Sequence, residues 1–140
     1  MFEENIIIRY AEITDYIWLK ENDDDISNDI MKLKIDRKEV LLVQENEKII
    51  GWLRFNYFWD DIPFITHLWL IDGYRHKGIG TKFINFWEEE MKQQGHNIVL
   101  TSTQQTRENA QHFYKKRGYN EIGGFNYLNE PYEIMYLKKL

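Results

Sequence analysis

Residues 68–81 read Leu-Trp-Leu-Ile-Asp-Gly-Tyr-Arg-His-Lys-Gly-Ile-Gly-Thr, and this stretch decides the fold. An apolar run over 64–71 predicts a strand, and the basic, glycine-containing residues 75–80 predict a loop. The amphipathic pattern that starts at Thr81 predicts a helix. A strand that leads through such a loop into a helix start is typical of a phosphate-binding site.

The loop combines two features that favour an anionic ligand. Backbone N–H groups at a helix start have no acceptor within the helix and carry partial positive charge. Gly78 and Gly80 have no side chains, so a pyrophosphate can approach the backbone closely. Arg75, His76 and Lys77 add positive charge at the same place. Charge and backbone geometry therefore agree on a phosphate ligand.

A Gly-x-Gly pair alone more often marks only a tight turn, and three other glycine-rich loops do not fit the sequence. A dinucleotide-binding fingerprint requires a third glycine, and Phe83 stands in its place. A P-loop requires Gly-Lys-Ser/Thr, whereas the order here is Gly80-Thr81-Lys82. The glycine-rich loop of protein kinases belongs to a much longer chain with further motifs.

The motif Arg75-x-x-Gly78-x-Gly80, which follows an apolar strand, resembles the acetyl-CoA-binding motif of the GNAT family of N-acetyltransferases. That motif is Arg/Gln-x-x-Gly-x-Gly/Ala. The family commonly has Pro where this chain has Asp72. The difference affects the loop and leaves the phosphate-binding part of the motif intact.

A second stretch supports the same resemblance independently. Residues 109–119 read Asn-Ala-Gln-His-Phe-Tyr-Lys-Lys-Arg-Gly-Tyr and are similar to the family signature, in which an Asn precedes Phe-Tyr-x-x-x-Gly-Tyr/Phe. The two motifs occur in the family's order and make the resemblance specific over 66–119. The stretch around 129–131 is also similar to small bacterial members of the family.

The resemblance implies an acyltransferase that moves the acetyl group of acetyl-CoA to a primary amine of a small molecule or peptide. The amine would attack the thioester directly in a ternary complex. Acetyl-CoA would lie between the strands at 64–71 and 97–103, and a backbone N–H near Leu70 would stabilise the oxyanion. The residues expected to bind the coenzyme are Leu70, Ile71, Arg75, His76, Lys77, Gly78, Ile79, Gly80, Thr81 and Asn109.

The resemblance also implies that Tyr114 lies beside the coenzyme sulfur and protonates the departing thiolate. The general base is open. His67 is the better candidate because the reference pKa of histidine is near neutrality, although an ordinary strand histidine is the more common interpretation. Strand alternation lets at most one of Thr66 and His67 face the site. A water relay to Asp60 or Asp61, or loss of the proton to bulk water, are the alternatives.

The remaining sequence alternates strand and helix patterns, which predicts one mixed α/β domain over 1–140. The fold of the family has about seven strands and four helices. Predicted strands lie at 6–10, 40–43, 49–58, 64–71, 98–100, 119–125 and 133–137. The first predicted helix is capped by Thr14-Asp15 and runs through Trp18 and Leu19. The other predicted helices cover 26–35, 81–94 and 108–116. Gly51 within a predicted strand indicates a bulge or a close backbone approach.

Composition narrows the set of partners. The chain has 140 residues, a net charge of −5 and no cysteine, which excludes disulfides and thiolate metal sites. Its four histidines show no paired spacing for metal ligation, so we expect no metal. The acidic charge disfavours nucleic acid. No apolar run approaches the roughly 20 residues of a membrane helix, so we expect a cytoplasmic protein with no membrane partner.

Several alternatives stay open at this stage. The acidic residues 21–25 are either a solvated turn or a rim that steers a basic substrate. Aromatic residues that could line an acceptor pocket, or simply pack in the core, are Trp52, Tyr57, Phe58, Trp59 and Trp69. A non-catalytic acyl-CoA sensor of the same fold and a partner-binding module without a nucleotide are competing functions. The protein is expected to be a monomer or a homodimer.

Overall fold

The computed structural model describes residues 5–74 and 78–140. Its strands are β1 (Ile6–Tyr10), β2 (Val40–Glu45), β3 (Lys48–Phe58), β4 (Ile62–Leu70), β5 (Ile98–Gln104), β6 (Asn120–Phe125) and β7 (Glu133–Lys139). Its helices are α1 (Tyr16–Asn22), α2 (Asn28–Asp36), α3 (Ile79–Gln93) and α4 (Glu108–Lys116), with a 3-10 turn at Ile13–Asp15. The strands form one sheet in the order β1-β2-β3-β4-β5-β7-β6. The predicted α/β fold class is confirmed.

The amphipathic pattern of α3 does what its spacing predicts. Phe83, Ile84, Trp87 and Met91 recur at helical intervals and are fully buried. Gly95 ends the helix with φ of 95°, a left-handed conformation that glycine adopts without strain. This helix therefore has one buried face along its length and a defined end.

The contacts within the protein divide it into two compact units. The first unit consists of the residues up to Phe55 together with His67–Phe83. Within it, β1 pairs antiparallel with β2, and β2 pairs antiparallel with β3, the next strand in the chain. Buried residues of its core are Ala11, Leu19, Met31, Ile35, Val40, Leu42 and Trp52.

The second unit consists of Asn56–Thr66 and Ile84–Leu140. Within it, β4 and β5 run parallel, and β7 pairs antiparallel with both β5 and β6. Tyr119 donates a hydrogen bond to Glu88 at 2.7 Å, and Lys138 donates to the same carboxylate at 2.8 Å. These contacts give the buried Glu88 two partners from residues far along the chain.

Gly51 lies at a bulge and at a close approach of the backbone, the two features expected of a glycine within a strand. The register of β2 against β3 shifts between Val43, which faces Gly51, and Gln44, so the strand pair contains a bulge. A Cβ atom on Gly51 would lie 2.5 Å from the carbonyl oxygen of Trp69 and 2.6 Å from a methyl carbon of Leu70. The missing side chain therefore lets the end of β4 approach β3.

The interpretation of residues 21–25 as one solvated turn is wrong, because α1 extends to Asn22 and Asp23 is buried. The turn between β3 and β4 is short, since β3 ends at Phe58 and β4 begins at Ile62. Trp59 and Asp60 make that turn with φ of 55° and 62°. No helix among residues 5–74 and 78–140 is long and apolar enough to cross a membrane.

We predict that Gly51→Ala destabilises the protein by about 1–3 kcal/mol, because the new Cβ overlaps backbone as well as side-chain atoms. Chemical denaturation measures the free energy of unfolding. Val43→Ala is the matched control, since a methyl carbon of Val43 is the third close atom, at 3.1 Å. The double variant should lose the sum of both effects. Recovery of Gly51→Ala by Val43→Ala would contradict the close approach of β4.

Candidate functional site

The predicted phosphate loop leads directly into α3. The helix begins at Ile79, after Gly78, whose φ is 78°. A Cβ atom on Gly78 would meet no described atom within 4 Å. The N–H of Lys82 donates to the carbonyl of Gly78 at 3.1 Å, so Gly78 lies at the N-terminal end of the helix, where backbone N–H groups carry partial positive charge. The three basic residues expected here, 75–77, lie outside the described residues.

The end of β4 precedes this loop. Leu70 is its last residue and is partly exposed. The N–H of Ile71 donates to the carbonyl of Ile50 at 2.8 Å, and the carbonyl of Ile71 accepts from Tyr74 at 3.1 Å. The backbone of Ile71 is thus already paired within the first unit. These two hydrogen bonds fix the course of the backbone between β4 and the predicted phosphate loop.

Tyr114 lies in the second unit, on α4, and is 7% exposed. Its ring stacks on Tyr136 at 6.3 Å and meets Tyr119 edge-on at 5.4 Å. The Thr101 hydroxyl donates to the carbonyl of Ile65 at 3.2 Å and also interacts with the Tyr114 hydroxyl. Burial raises the pKa of Tyr114 to about 12, and the bond with Thr101 opposes this. Tyr114 therefore keeps its proton at neutral pH.

Asn109 is the second residue of α4 and is exposed. Arg107, which precedes the helix, makes no capping hydrogen bond with its side chain. Instead, the side-chain amide of Gln111 donates to the carbonyls of Gln104 at 3.2 Å and Gln105 at 2.7 Å. These bonds fix the connection from β5 to α4, and with it the place of Asn109. Sequence reasoning missed this role of Gln111.

His67 lies on β4 and contacts an arginine. Its Nδ1 atom is 3.0 Å from Nη2 of Arg54, and its side chain is 25% exposed. Arg54 in turn donates to Asp23 through Nε at 2.6 Å and through Nη2 at 3.3 Å. The arginine and aspartate side chains are 5% and 0% exposed, so this is a buried ion pair.

Sequence reasoning missed the ion pair, although one signal was present. Arg54 lies in the predicted strand 49–58, which is otherwise mainly apolar. A charged side chain in a buried strand requires a partner. The partner could not be read from the sequence because it lies 31 residues away. It comes from the acidic residues 21–25, of which Asp24 and Asp25 remain exposed.

Asp23, Asp25 and His67 place ligand-type atoms within 4.8 Å of one another. Arg54 already occupies this cluster, since it contacts both carboxylate oxygens of Asp23 and Nδ1 of His67. A cation would have to displace a buried guanidinium. The donor set therefore does not fit a metal ion, and the expectation of a metal-free protein stays a prediction.

The aromatic residues divide between core and surface. Trp52 is buried, stacks on Trp69 at 4.4 Å and meets His67 edge-on at 5.6 Å. These contacts make Trp52 a core residue that supports the histidine ring. Trp59, by contrast, is 80% exposed and lies beside Asp60 in the turn between β3 and β4. Asp60 and the neighbouring Asp61 are exposed as well.

The matching family model is described as the acetyltransferase (GNAT) family and covers residues 4–119. No curated protein matches the sequence. Residues 4–119 contain both motifs and all the predicted site residues.

Solved structures share the fold over almost the whole chain. A GNAT acetyltransferase from Bacillus cereus is 21% identical, covers 96% of both chains and has a TM-score of 0.77. An acetyltransferase from Bacillus anthracis in complex with acetyl coenzyme A is 16% identical over 96% of this chain and 98% of its own, with a TM-score of 0.79. A chain of the NatC complex bound to Gag peptide and CoA is 16% identical over 97% and 99%, with a TM-score of 0.81. With a family model that matches residues 4–119 and a fold shared with these acetyltransferases, the chain belongs to the GNAT acetyltransferase family.

Proposed function

We propose that this protein transfers an acetyl group from acetyl-CoA to a primary amine by direct attack in a ternary complex. The observation that carries the proposal is the open start of α3 at Gly78, directly after β4 and within the segment matched by the family model. Structural neighbours that hold acetyl coenzyme A or CoA support the coenzyme assignment.

In this proposal the coenzyme pyrophosphate binds the first turn of α3. The amides of residues 76–81 donate to its oxygens, and Arg75, His76 and Lys77 contribute positive charge. The partial positive charge at the helix start favours the same group. The absence of a side chain at Gly78 lets the phosphates approach the backbone. Leu70, Thr81 and Asn109 complete the proposed contacts to the coenzyme.

Tyr114 is the proposed acid. Its hydroxyl carries a proton throughout the neutral range, and a thiolate is a strong acceptor for a hydrogen bond that this hydroxyl donates. Its pKa of about 12 lies far above that of an ordinary thiol, near 8.5. Complete transfer of the proton from Tyr114 to the thiolate is therefore unfavourable. We propose that Tyr114 stabilises the departing thiolate by donating a hydrogen bond to it.

The proton on the attacking amine needs a different route. His67 was the best candidate base in the sequence, but its Nδ1 atom faces Arg54. Asp60 and Asp61 are exposed acidic residues of the second unit and stay alternatives. We propose that the amine loses its proton to bulk water, which requires no dedicated residue.

The acceptor is proposed to be a primary amine of a small molecule or of a peptide. The NatC neighbour holds a peptide together with CoA, which makes a peptide N-terminus one such acceptor to test. An acyl-CoA sensor without activity is the competing function of the same fold. Release of CoA in the presence of a panel of amines distinguishes an enzyme from a sensor.

We predict that CoA raises the melting temperature of the protein. A ligand at about 100 times its Kd stabilises the folded state by about 2.7 kcal/mol. Gly78→Ala should abolish this shift, because its methyl group enters the space proposed for the pyrophosphate. Thermal denaturation with and without CoA measures the effect.

Gly95→Ala is the matched control for this prediction. Gly95 lies at the other end of α3, also has positive φ, and a methyl carbon on it would also meet no described atom within 4 Å. Both variants carry a similar backbone strain, of about 1–2 kcal/mol. Only Gly78→Ala should lose the response to CoA. An equal response in both variants, or none in the unmodified protein, would remove the pyrophosphate site.

We predict that Tyr114→Phe lowers kcat while CoA binding persists. A positioned acid contributes roughly 10²–10⁴ in rate, and the high pKa of Tyr114 places the expected loss near 10². Steady-state kinetics with the best amine of the panel, together with the CoA-dependent thermal shift, measures both properties.

Tyr136→Phe controls for the loss of a buried hydroxyl. Tyr136 is fully buried beside Tyr114, and its hydroxyl has no hydrogen-bond partner among the described residues. Its removal should leave kcat unchanged. If the two variants have the same kcat, Tyr114 is a packing residue and not the acid.

A further inference from the structure

The contact between His67 and Arg54 determines which ring nitrogen of the histidine carries the proton. We infer that Arg54 and Asp23 are positioning residues that hold His67 as a neutral imidazole with its proton on Nε2. The inference rests on the proposed function only in so far as His67 belongs to the acetyl-transfer site. In this state His67 donates a hydrogen bond through Nε2 and does not act as a general base.

The first step is the direction of the hydrogen bond. A guanidinium group has N–H donors and no acceptor, whereas a ring nitrogen of neutral histidine either donates or accepts. At 3.0 Å, Nη2 of Arg54 is within hydrogen-bond distance of Nδ1 of His67. Nδ1 must therefore accept, and the single proton of the neutral ring must lie on Nε2.

The second step is the immobility of the arginine. Both carboxylate oxygens of Asp23 accept from Arg54, at 2.6 and 3.3 Å. The backbone N–H of Asp23 donates to the carbonyl of Leu19 at 2.8 Å, and Asp25 donates its N–H to Oδ1 of Asp23 at 3.2 Å. The end of α1 thus fixes the carboxylate, and the carboxylate fixes the guanidinium. Releasing Arg54 would leave a buried carboxylate unpaired.

The third step concerns the charges around the ring. Oδ1 of Asp23 is 3.9 Å and Oδ2 of Asp25 is 4.0 Å from Nδ1 of His67, and both would favour an imidazolium. Arg54 is nearer, at 3.0 Å, and stands where a proton on Nδ1 would point. Asp23 is already neutralised by that arginine, and Asp25 is exposed to water, which weakens its effect. The nearest of these three charged groups to Nδ1 is therefore a hydrogen-bond donor, which fits an unprotonated Nδ1.

The consequence for the reaction follows from the tautomer. Nε2 with its proton cannot remove a proton from an amine, and Nδ1 can do so only if Arg54 leaves. Any hydrogen bond that His67 makes through Nε2 is one that it donates. The histidine can thus orient a substrate atom that accepts a hydrogen bond, such as a carbonyl or hydroxyl oxygen.

Nitrogen NMR of the uniformly ¹⁵N-labelled protein at neutral pH tests the tautomer directly. We expect the His67 ring to show a protonated Nε2 and an unprotonated Nδ1. The signals are assigned by their loss in His67→Gln, since the sequence has only three other histidines, His76, His96 and His112. A proton on Nδ1, or on both nitrogens, would overturn the inference. This measurement needs no substrate, so it stands even if the protein proves to lack acetyltransferase activity.

A paired variant tests the cause. Asp23→Asn with Arg54→Met removes both buried charges together and avoids leaving either unpaired. We expect the His67 signals to move towards a mixture of tautomers. Asp25→Asn is the matched control, because it removes a charge 4.0 Å from the same nitrogen and keeps the Arg54 contact. A shift in the control equal to that in the paired variant would show that Arg54 does not set the tautomer.

Activity supplies the last test. His67→Gln keeps an N–H donor and has no basic nitrogen, whereas His67→Ala has neither. We expect the glutamine variant to retain more kcat/KM than the alanine variant and to keep the acidic limb of the pH profile. Equal loss in both variants together with loss of the acidic limb would identify His67 as the base.

Discussion

A buried ion pair between Asp23 and Arg54 joins the end of α1 to the middle of β3. Removing two charges from water costs several kcal/mol per ion, and mutual attraction often does no more than balance this cost. The pair is therefore weak evidence for stability. Its effect is on geometry, because it holds one guanidinium at the Nδ1 edge of His67.

The absence of a side chain at Gly51 and Gly78 also affects the local geometry. A side chain at Gly51 would overlap the backbone of Trp69, and without one the end of β4 lies against β3. A side chain at Gly78 would project into open space at the start of α3. The first absence lets the end of β4 approach β3, and the second leaves room for the anion that we propose at the helix start. Sequence and backbone geometry together thus define the proposed coenzyme site.

Much of this fold could be predicted because the deciding signals are local. The bounds of β1 and α4 follow from hydrophobic periodicity and a glycine after the helix, and both predictions agree with the structure. The burial of Asp23 could not be predicted, since it depends on an arginine far away in sequence. The same holds for the partner of Tyr114, because Thr101 lies on β5 and only the packed unit brings it to the hydroxyl. The coenzyme motif was readable for the opposite reason, since its loop, glycines and helix start are contiguous.

With the His67 tautomer inferred above, three of the described titratable groups are neutral or paired before any substrate binds. Tyr114 retains its proton, His67 accepts from a guanidinium, and Asp23 is paired with that same group. Such groups contribute little as strong acids or bases at neutral pH. In the proposed reaction Tyr114 is better suited to stabilise the charge that develops on the departing thiolate by a hydrogen bond. An amine that reaches the site already deprotonated is itself a good nucleophile, so the proposed transfer depends on its orientation towards the thioester.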